Sequence, residues 1–205
     1  MNQDHIFIDI ETSNRDPQKG CIIEIAAIRT DAKGRVMSSF TQRVIPDRQV
    51  EEEAARVNGY TANWGGIPFP EAMREFNHAM VREDDKVVFV AHFADFDRGF
   101  IRSDCQRLRV EVPLETRAWI CTGNLVWPYV YQDQLRSRKL SDVCKFLGID
   151  YLYAHDAAAD AKACMDVYFE LMRRFSTMLV THTAISQSSG GPLLSGIEKL
   201  LHKLG

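Results

Sequence analysis

The alternation of apolar and polar residues near the start of the chain predicts a strand buried on both faces. Residues 6–12 read IFIDIET. Side chains in a strand alternate between its two faces, so the three isoleucines share one face while Phe7, Asp9 and Glu11 share the other. Two carboxylates held a few ångströms apart repel each other and lose hydration, and a bound cation is the simplest remedy. An edge strand with solvated acids is the alternative, but it leaves the apolar residues unexplained.

Further apolar runs predict four more strands. They are residues 21–28, 36–45, 87–91 and 119–121. A short turn at residues 31–34 connects the second and third strands, which favours an antiparallel pair. The run at 87–91 is continuously apolar, as is typical of a parallel strand covered on both faces.

Apolar residues spaced three and four apart predict helices between and after the strands. The predicted helices span residues 51–57, 71–82, 96–108, 140–147 and 157–175. We expect Pro70 at the first helical position of the second helix, and Asp95 and Asp156 as N-caps of the third and the last. Strands that alternate with helices indicate an α/β sheet with crossover connections.

Composition and charge narrow the function classes. The 205 residues are 45% hydrophobic and 26% charged, which predicts a globular chain with one sizeable domain. The net charge of −3 argues against coating nucleic acid by bulk electrostatics, but not against an enzyme with a local basic patch. Five cysteines without a CxxC pair suggest neither a disulfide framework nor a zinc site, and favour the cytoplasm. No stretch predicts a membrane span.

Residues 176–205 are predicted to be an appendage to a main domain at 1–175. Residues 186–192 read as a flexible linker, and the leucines and isoleucine of 193–204 mark a short amphipathic helix. A helix this short needs a surface for its apolar face. Docking on the chain's own domain and binding to a protein partner are both open.

Candidate chemistry recurs at three further places. Asp97 follows the strand at 87–91, where the carboxyl end of a parallel strand meets a helix and ligands often bind. His155 and Asp160 lie five residues apart at the start of the last helix, and they can serve one site only if His155 lies in the turn before that helix. The basic cluster at 136–139 is either a solvated face or a nucleic-acid contact.

Together these residues resemble the DEDDh exonucleases, the DnaQ-like family of 3′ to 5′ nucleases. The first motif of that family matches residues 9–12 (DIET), the second residues 92–97 (HFADFD) and the third residues 155–160 (HDAAAD). The IIEI pattern at 22–25 also agrees. Residues 119–122 and 139–149 resemble the exodeoxyribonuclease X group within the family. The resemblance covers residues 5–175, all three motifs falling in order.

Two positions depart from the family pattern. Phe93 replaces the usual Asn of the second motif, so that its loop is either held differently or offers a ring for stacking on a base. Asn58-Gly59 stands where relatives often carry His-Gly. Neither departure touches a predicted metal ligand.

The resemblance implies a ribonuclease H-like α/β fold, with a five-stranded mixed sheet, its second strand antiparallel, and helices on both faces. Residues 1–175 would be the exonuclease catalytic domain. Two divalent cations would be held, one by Asp9, Glu11 and Asp160 and the other by Asp9 and Asp97. Oxygen-only ligands favour Mg²⁺, with Mn²⁺ also accepted. His155, acting as general base, and Glu11 would be catalytic.

The implied reaction is hydrolysis of DNA from a single-stranded 3′ end, releasing 5′-mononucleotides. Substrate contacts are expected from Ile10, Thr12, Phe93 and Phe96. An exoribonuclease or RNA-trimming enzyme of the same family is an alternative, because the metal ligands act on phosphate and carry no sugar preference. An inactive nucleic-acid-binding module is a second alternative, which the complete set of four acids and a histidine disfavours.

Overall fold

A single five-stranded sheet organises the protein, of which the computed structural model describes residues 3–81, 86–111, 117–132, 134–152 and 154–189. The strands are β1 (Asp4–Thr12), β2 (Ile22–Thr30), β3 (Val36–Arg43), β4 (Val87–Ala91) and β5 (Ala118–Cys121). Their order across the sheet is β3-β2-β1-β4-β5. β2 is antiparallel to both neighbours, whereas β4 is parallel to β1 and β5 to β4. The predicted mixed sheet with an antiparallel second strand is confirmed.

Seven helices are found in the described part of the chain. They are α1 (Glu52–Asn58), α2 (Phe69–Met80), α3 (Ala94–Leu108), α4 (Thr122–Leu125), α5 (Trp127–Tyr131), α6 (Leu140–Leu147) and α7 (Ala157–Ser189). Gly59 and Gly148 end α1 and α6 in the left-handed conformation that glycine adopts at low cost. Within the described residues, no helix is long and apolar enough to span a bilayer.

β1 is buried on both faces, as its alternating pattern predicts. Its three isoleucines join a core cluster that includes Phe76 of α2 and Phe100 of α3. Phe7, on the other face, packs with Val90 of β4 and Tyr168 of α7. The sheet therefore lies between α2 and α3 on one side and α7 on the other, and β1 lies at its centre.

Three predictions about helix ends are corrected by the structure. Asp95 is not the N-cap of α3, because the Phe96 N–H bonds to the Phe93 carbonyl and the helix begins at Ala94, two residues earlier than predicted. Pro70 is the second residue of α2, not the first, and still lies where its missing N–H costs no helical bond. α2 ends at Met80, short of residue 82.

The last helix is longer than predicted. α7 continues past residue 175 to Ser189, since the first glycine or proline after its start is Gly190. Residues 186–189, predicted as linker, are therefore helical. Residues 190–192 and the predicted tail helix at 193–204 lie outside the described residues, so a separate appendage stays a prediction.

Candidate active site

The carboxyl end of β1 carries the acids from which the site is built. Asp9 and Glu11 project on the Phe7 side of the strand, towards α7, as the alternation predicts. α7 brings Asp160 to the same place. Carboxylate oxygens of Asp9, Glu11 and Asp160 all lie within 4.8 Å of one another. The structure thus joins three predicted metal ligands that come from two distant parts of the chain.

The start of α7 is built for close approach to the sheet. Asp156 caps the helix, its Oδ1 accepting the Ala159 N–H at 2.9 Å, as predicted. Ala157 and Ala161 pack against Ala26 of β2. Because none of these residues has a side chain beyond Cβ, the helix can approach β2 closely, and Asp160 is 9% exposed beside the β1 acids.

Asp97 enters from the first turn of α3. The residue is 4% exposed, and the N–H groups of Asp97 and Ile10 partly oppose the rise in its carboxyl pKa that burial causes. The start of α3 thus lies near the end of β1. Asp97 lies near enough for its negative charge to raise the pKa of Asp9.

Burial and mutual repulsion make these carboxyls hard to ionise. Burial, followed by the charges of Asp160 and other neighbouring acids, raises the pKa of Glu11 to about 8. Burial is also the main cause that raises the pKa of Asp97 to about 8, and it raises the pKa of Asp9 well above its ordinary value. A bound divalent cation would remove this penalty. The donor set is oxygen only, so the residues fit a hard cation such as Mg²⁺ or Mn²⁺.

Asp160 has two partners that favour its charged form. Burial raises its pKa, but the Tyr151 hydroxyl, 2.5 Å from Oδ1, and His155 both oppose that rise. His155 lies in the turn before α7 with a backbone φ of 65°, a left-handed conformation that costs a non-glycine residue free energy. This turn brings its side chain to the same groove as the acids, as the five-residue spacing requires.

A groove of about 870 Å³ opens over the acids. Its lining includes every predicted site residue except Asp160, which lies in the carboxylate cluster. The predicted substrate contacts lie around the acids in this groove: Ile10, Thr12, Phe93 and Phe96. The roles of these residues stay predictions, but their proximity does not depend on the family resemblance.

The loop that carries Phe93 is held by contacts outside the motif. The His92 carbonyl accepts the Gly123 N–H at 2.8 Å, and a Cβ on Gly123 would lie 2.5 Å from that oxygen. The Phe93 ring packs edge-on against His92, at 4.8 Å between centroids, and is 43% exposed. The loop therefore needs no Asn, and part of the Phe93 ring is free to contact a substrate.

Sequence reasoning missed several residues of the site. Tyr151 has no motif around it, and only the fold brings its hydroxyl to Asp160. Asn58 donates a hydrogen bond to the Thr12 carbonyl at 3.1 Å and so fixes the loop after β1. Asn58, one of the departures from the family pattern, thus has a structural role here. Glu24 lies opposite Glu11 in the β1–β2 pair and adds to its repulsion.

Carboxylates at the end of a central strand and at the starts of two helices, facing one groove, define a class of metal-dependent phosphodiester hydrolases. A family model described as exonuclease, of the ribonuclease T type, matches residues 6–168. The chain therefore belongs to this exonuclease family, of the DnaQ-like DEDDh kind, and is a nuclease. The family expected from the three motifs is confirmed.

Relatives fall among both DNA and RNA enzymes. The chain is 26% identical over 178 residues to DNA polymerase III subunit epsilon of Treponema pallidum, covering 85% of this chain and 75% of that one. It is 28% identical over 190 residues to ribonuclease T of Wigglesworthia glossinidia brevipalpis, covering 84% and 86%. Two other curated relatives are much longer, and the chain spans 26% and 12% of them.

A solved structure agrees on the fold. The nuclease domain of 3′hExo, a DEDDh family member bound to rAMP, superposes with a TM-score of 0.70 at 18% identity. The match covers 84% of this chain and 93% of that one. At this identity the likeness extends to the fold alone, and it confirms the expected ribonuclease H-like architecture.

Proposed function

We propose that the protein is a metal-dependent 3′ to 5′ exonuclease that releases 5′-mononucleotides from single-stranded DNA. One observation carries the proposal. Acids from β1, α3 and α7 meet at one groove together with His155, although these elements are separated by up to about 150 residues of sequence. A structural role would not require buried carboxyls placed so that Asp160 raises the pKa of Asp9, Glu11 and Asp97.

Two divalent cations, Mg²⁺ or Mn²⁺, would be held by the acid cluster. Asp9, Glu11 and Asp160 would share one cation, and Asp9 with Asp97 the other. When bound, such cations supply positive charge against the phosphate and the leaving oxygen of a phosphodiester. The chain's own contribution is to hold the carboxylates in position: the Tyr151 hydroxyl orients Asp160 by a hydrogen bond.

His155 would take the proton from the attacking water. It lines the groove and lies near Asp160, whose negative charge stabilises the imidazolium formed after proton transfer. The turn before α7 keeps the imidazole at the groove. Glu11 would have two roles, one as a ligand of the cation and one as a catalytic residue.

The groove walls fit a terminal nucleotide. Phe93 and Phe96 offer partly exposed rings for stacking on a base, and Ile10 and Thr12 line the groove between these rings and the acids. Stacking is tolerant of sequence, because every base has a π-face. We expect hydrolysis to show little sequence preference.

An exoribonuclease is a second candidate, supported by the similarity to ribonuclease T. The acids and His155 act on the phosphate, so the preference for DNA or RNA depends on contacts to the 2′-hydroxyl. Asn14 and Asn58 line the groove and are polar side chains of the kind that make such contacts. The experiment below therefore includes both nucleic acids.

The test uses oligomers of DNA and of RNA, labelled at either end, with Mg²⁺, Mn²⁺ or EDTA. We expect labelled mononucleotide from 3′-labelled DNA, a ladder of shortened products from 5′-labelled DNA, and no products in EDTA. Asp160→Asn and Asp97→Asn should be folded and inactive, with Asp150→Asn, a carboxylate outside the groove, as control. Products released first from the 5′ end, or full activity in EDTA, would refute the proposal.

The setting in the cell is also proposed. The cysteines are all free thiols in the structure, which is compatible with the cytoplasm suggested by the sequence. A protein partner that binds through the tail at 193–204 remains a proposal from the sequence.

A further inference from the structure

A run of exposed aromatic rings leads away from the groove. Among the described residues, four large aromatic side chains are exposed: Phe93 (43%), Phe96 (39%), Trp127 (38%) and Tyr131 (80%). The first two line the groove. Trp127 and Tyr131, one turn apart on α5, lie outside it with their rings 5.4 Å apart between centroids. Trp127 and Tyr131 thus form a small exposed aromatic patch outside the groove.

Arg138 connects the two pairs of rings. Its guanidinium carbon lies 5.6 Å from the Phe93 ring centre and 4.2 Å from the Trp127 ring centre. Phe93, Arg138, Trp127 and Tyr131 thus form a continuous series, which we call the aromatic ladder. It begins in the groove and ends at a ring that is almost fully exposed.

The position of Arg138 is fixed by hydrogen bonds to neutral groups. Its guanidinium donates to the Asn124 Oδ1 at 2.9 Å and to the Gly123 carbonyl at 3.3 Å. The Arg138 carbonyl accepts from His92 Nε2 at 2.6 Å, and His92 Nδ1 lies 2.9 Å from the Thr122 hydroxyl. His92 is buried and directly follows β4, so the ladder is anchored to the end of that strand.

The charge beside the ladder is not neutralised. Within the described part of the chain, Arg136, Arg138 and Lys139 form no ion pair with any carboxylate. Asp142, in the helix that follows the cluster, accepts a hydrogen bond from the Ser137 hydroxyl. Three unpaired cations beside exposed rings suit a polyanion that carries flat aromatic groups, which is the chemistry of a single-stranded nucleic acid.

We propose that the aromatic ladder binds the nucleotides that precede the 3′-terminal one in a single-stranded substrate. Phe93 stacks on the terminal base at the groove end of the ladder, and the bases before it stack on Trp127 and Tyr131. The basic cluster at 136–139 contacts their phosphates. A ladder used only for internal packing would bury its last ring, whereas Tyr131 is 80% exposed. The inference rests on the proposed function, since it assigns the substrate segment next to the reacting end.

Substrates of two lengths distinguish binding at the ladder from hydrolysis at the acids. The full chain is given a thymidine dinucleotide, which reaches only the groove, and a thymidine dodecanucleotide, which is long enough to reach Tyr131. We expect a much lower KM for the longer oligomer. Tyr131→Ala and Trp127→Ala should each raise that KM by roughly 5- to 100-fold, the amount usual for losing one stacked base, with kcat unchanged.

Two matched variants control for side effects. Tyr131→Phe keeps the ring and should retain the low KM. Met37→Ala removes another half-exposed apolar side chain, on the edge strand β3, and should change nothing.

Arg136→Gln should reduce the salt dependence of log KM by about 0.7, the value for one phosphate contact on a single strand.

Binding without turnover keeps the two proposals distinguishable. Anisotropy of a fluorescein-labelled dodecanucleotide in EDTA reports on the ladder even if hydrolysis is never observed. Tighter binding by wild type than by Tyr131→Ala, with no hydrolysis in Mg²⁺ or Mn²⁺, would keep the ladder and refute the exonuclease. Equal binding and equal KM in wild type and both alanine variants would overturn the ladder and leave its rings to a protein partner.

Discussion

Removing divalent cations should make the protein less stable as the pH rises. In the folded chain the Glu11 carboxyl has its pKa raised from 4.5 to about 8, first by burial and then by its acidic neighbours. The folded state therefore holds this proton more tightly than the unfolded state. Its contribution to the free energy of unfolding is complete below pH 4.5 and is lost progressively as the pH rises to about 8.

The magnitude follows from the size of that rise. At 1.36 kcal/mol per pH unit, Glu11 alone corresponds to on the order of 5 kcal/mol. The pKa values of Asp9 and Asp97 are raised as well. Because the three carboxyls interact with one another, their contributions to the free energy of unfolding do not add. For a chain of this size, 5 kcal/mol corresponds to a fall in Tm of about 10–20 °C.

Thermal unfolding in EDTA between about pH 5 and pH 8 measures the effect. Glu11→Gln should lose part of the pH dependence, because it removes one of the titrating groups. Excess Mg²⁺ should raise Tm more at pH 8 than at pH 5, since the cation binds ionised carboxylates. A Tm in EDTA that is constant or rises over this range would refute the reasoning about the buried acids.

Three further predictions concern single side chains. His155→Gln should slow turnover by roughly 10²–10⁴ while cation affinity persists; turnover close to that of the wild type would mean that His155 is not the base. Tyr151→Phe should weaken Mn²⁺ binding, measured by calorimetry, by about 10- to 100-fold, because Asp160 loses the hydroxyl that favours its charge; unchanged affinity would contradict this. Asp104→Ala should cost about 2–4 kcal/mol in urea unfolding, because the buried Ile22 N–H and Arg107 lose their acceptor, and Asp104→Asn should cost less.

The sequence predicts the centre of the fold well because local pattern determines it. β1 is recognised from alternating residues, β4 from a continuous apolar run, and the last helix from its cap at Asp156. The groups at these ends then meet because parallel strands and crossover helices bring them to one edge. Asp9, Glu11, Asp97 and His155 reach the groove for that reason.

What the sequence could not predict depends on contacts between distant segments. The bond of Tyr151 to Asp160 and the bond of His92 to Arg138 have no local signal. The sequence does not predict α4 and α5, because four or five residues carry too little periodicity. It misplaces the N-cap of α3 at Asp95, because the helix begins two residues earlier than predicted. The ladder on α5 could therefore be found only from the folded chain.

The placement of Asp160 on α7 has a consequence for the cell that makes this protein. Asp160 is synthesised 151 positions after Asp9, so a ribosome-bound chain that has only the first three β-strands holds two of the acids and no complete site. Such a chain lacks the third member of the carboxylate cluster until the start of α7 has been added.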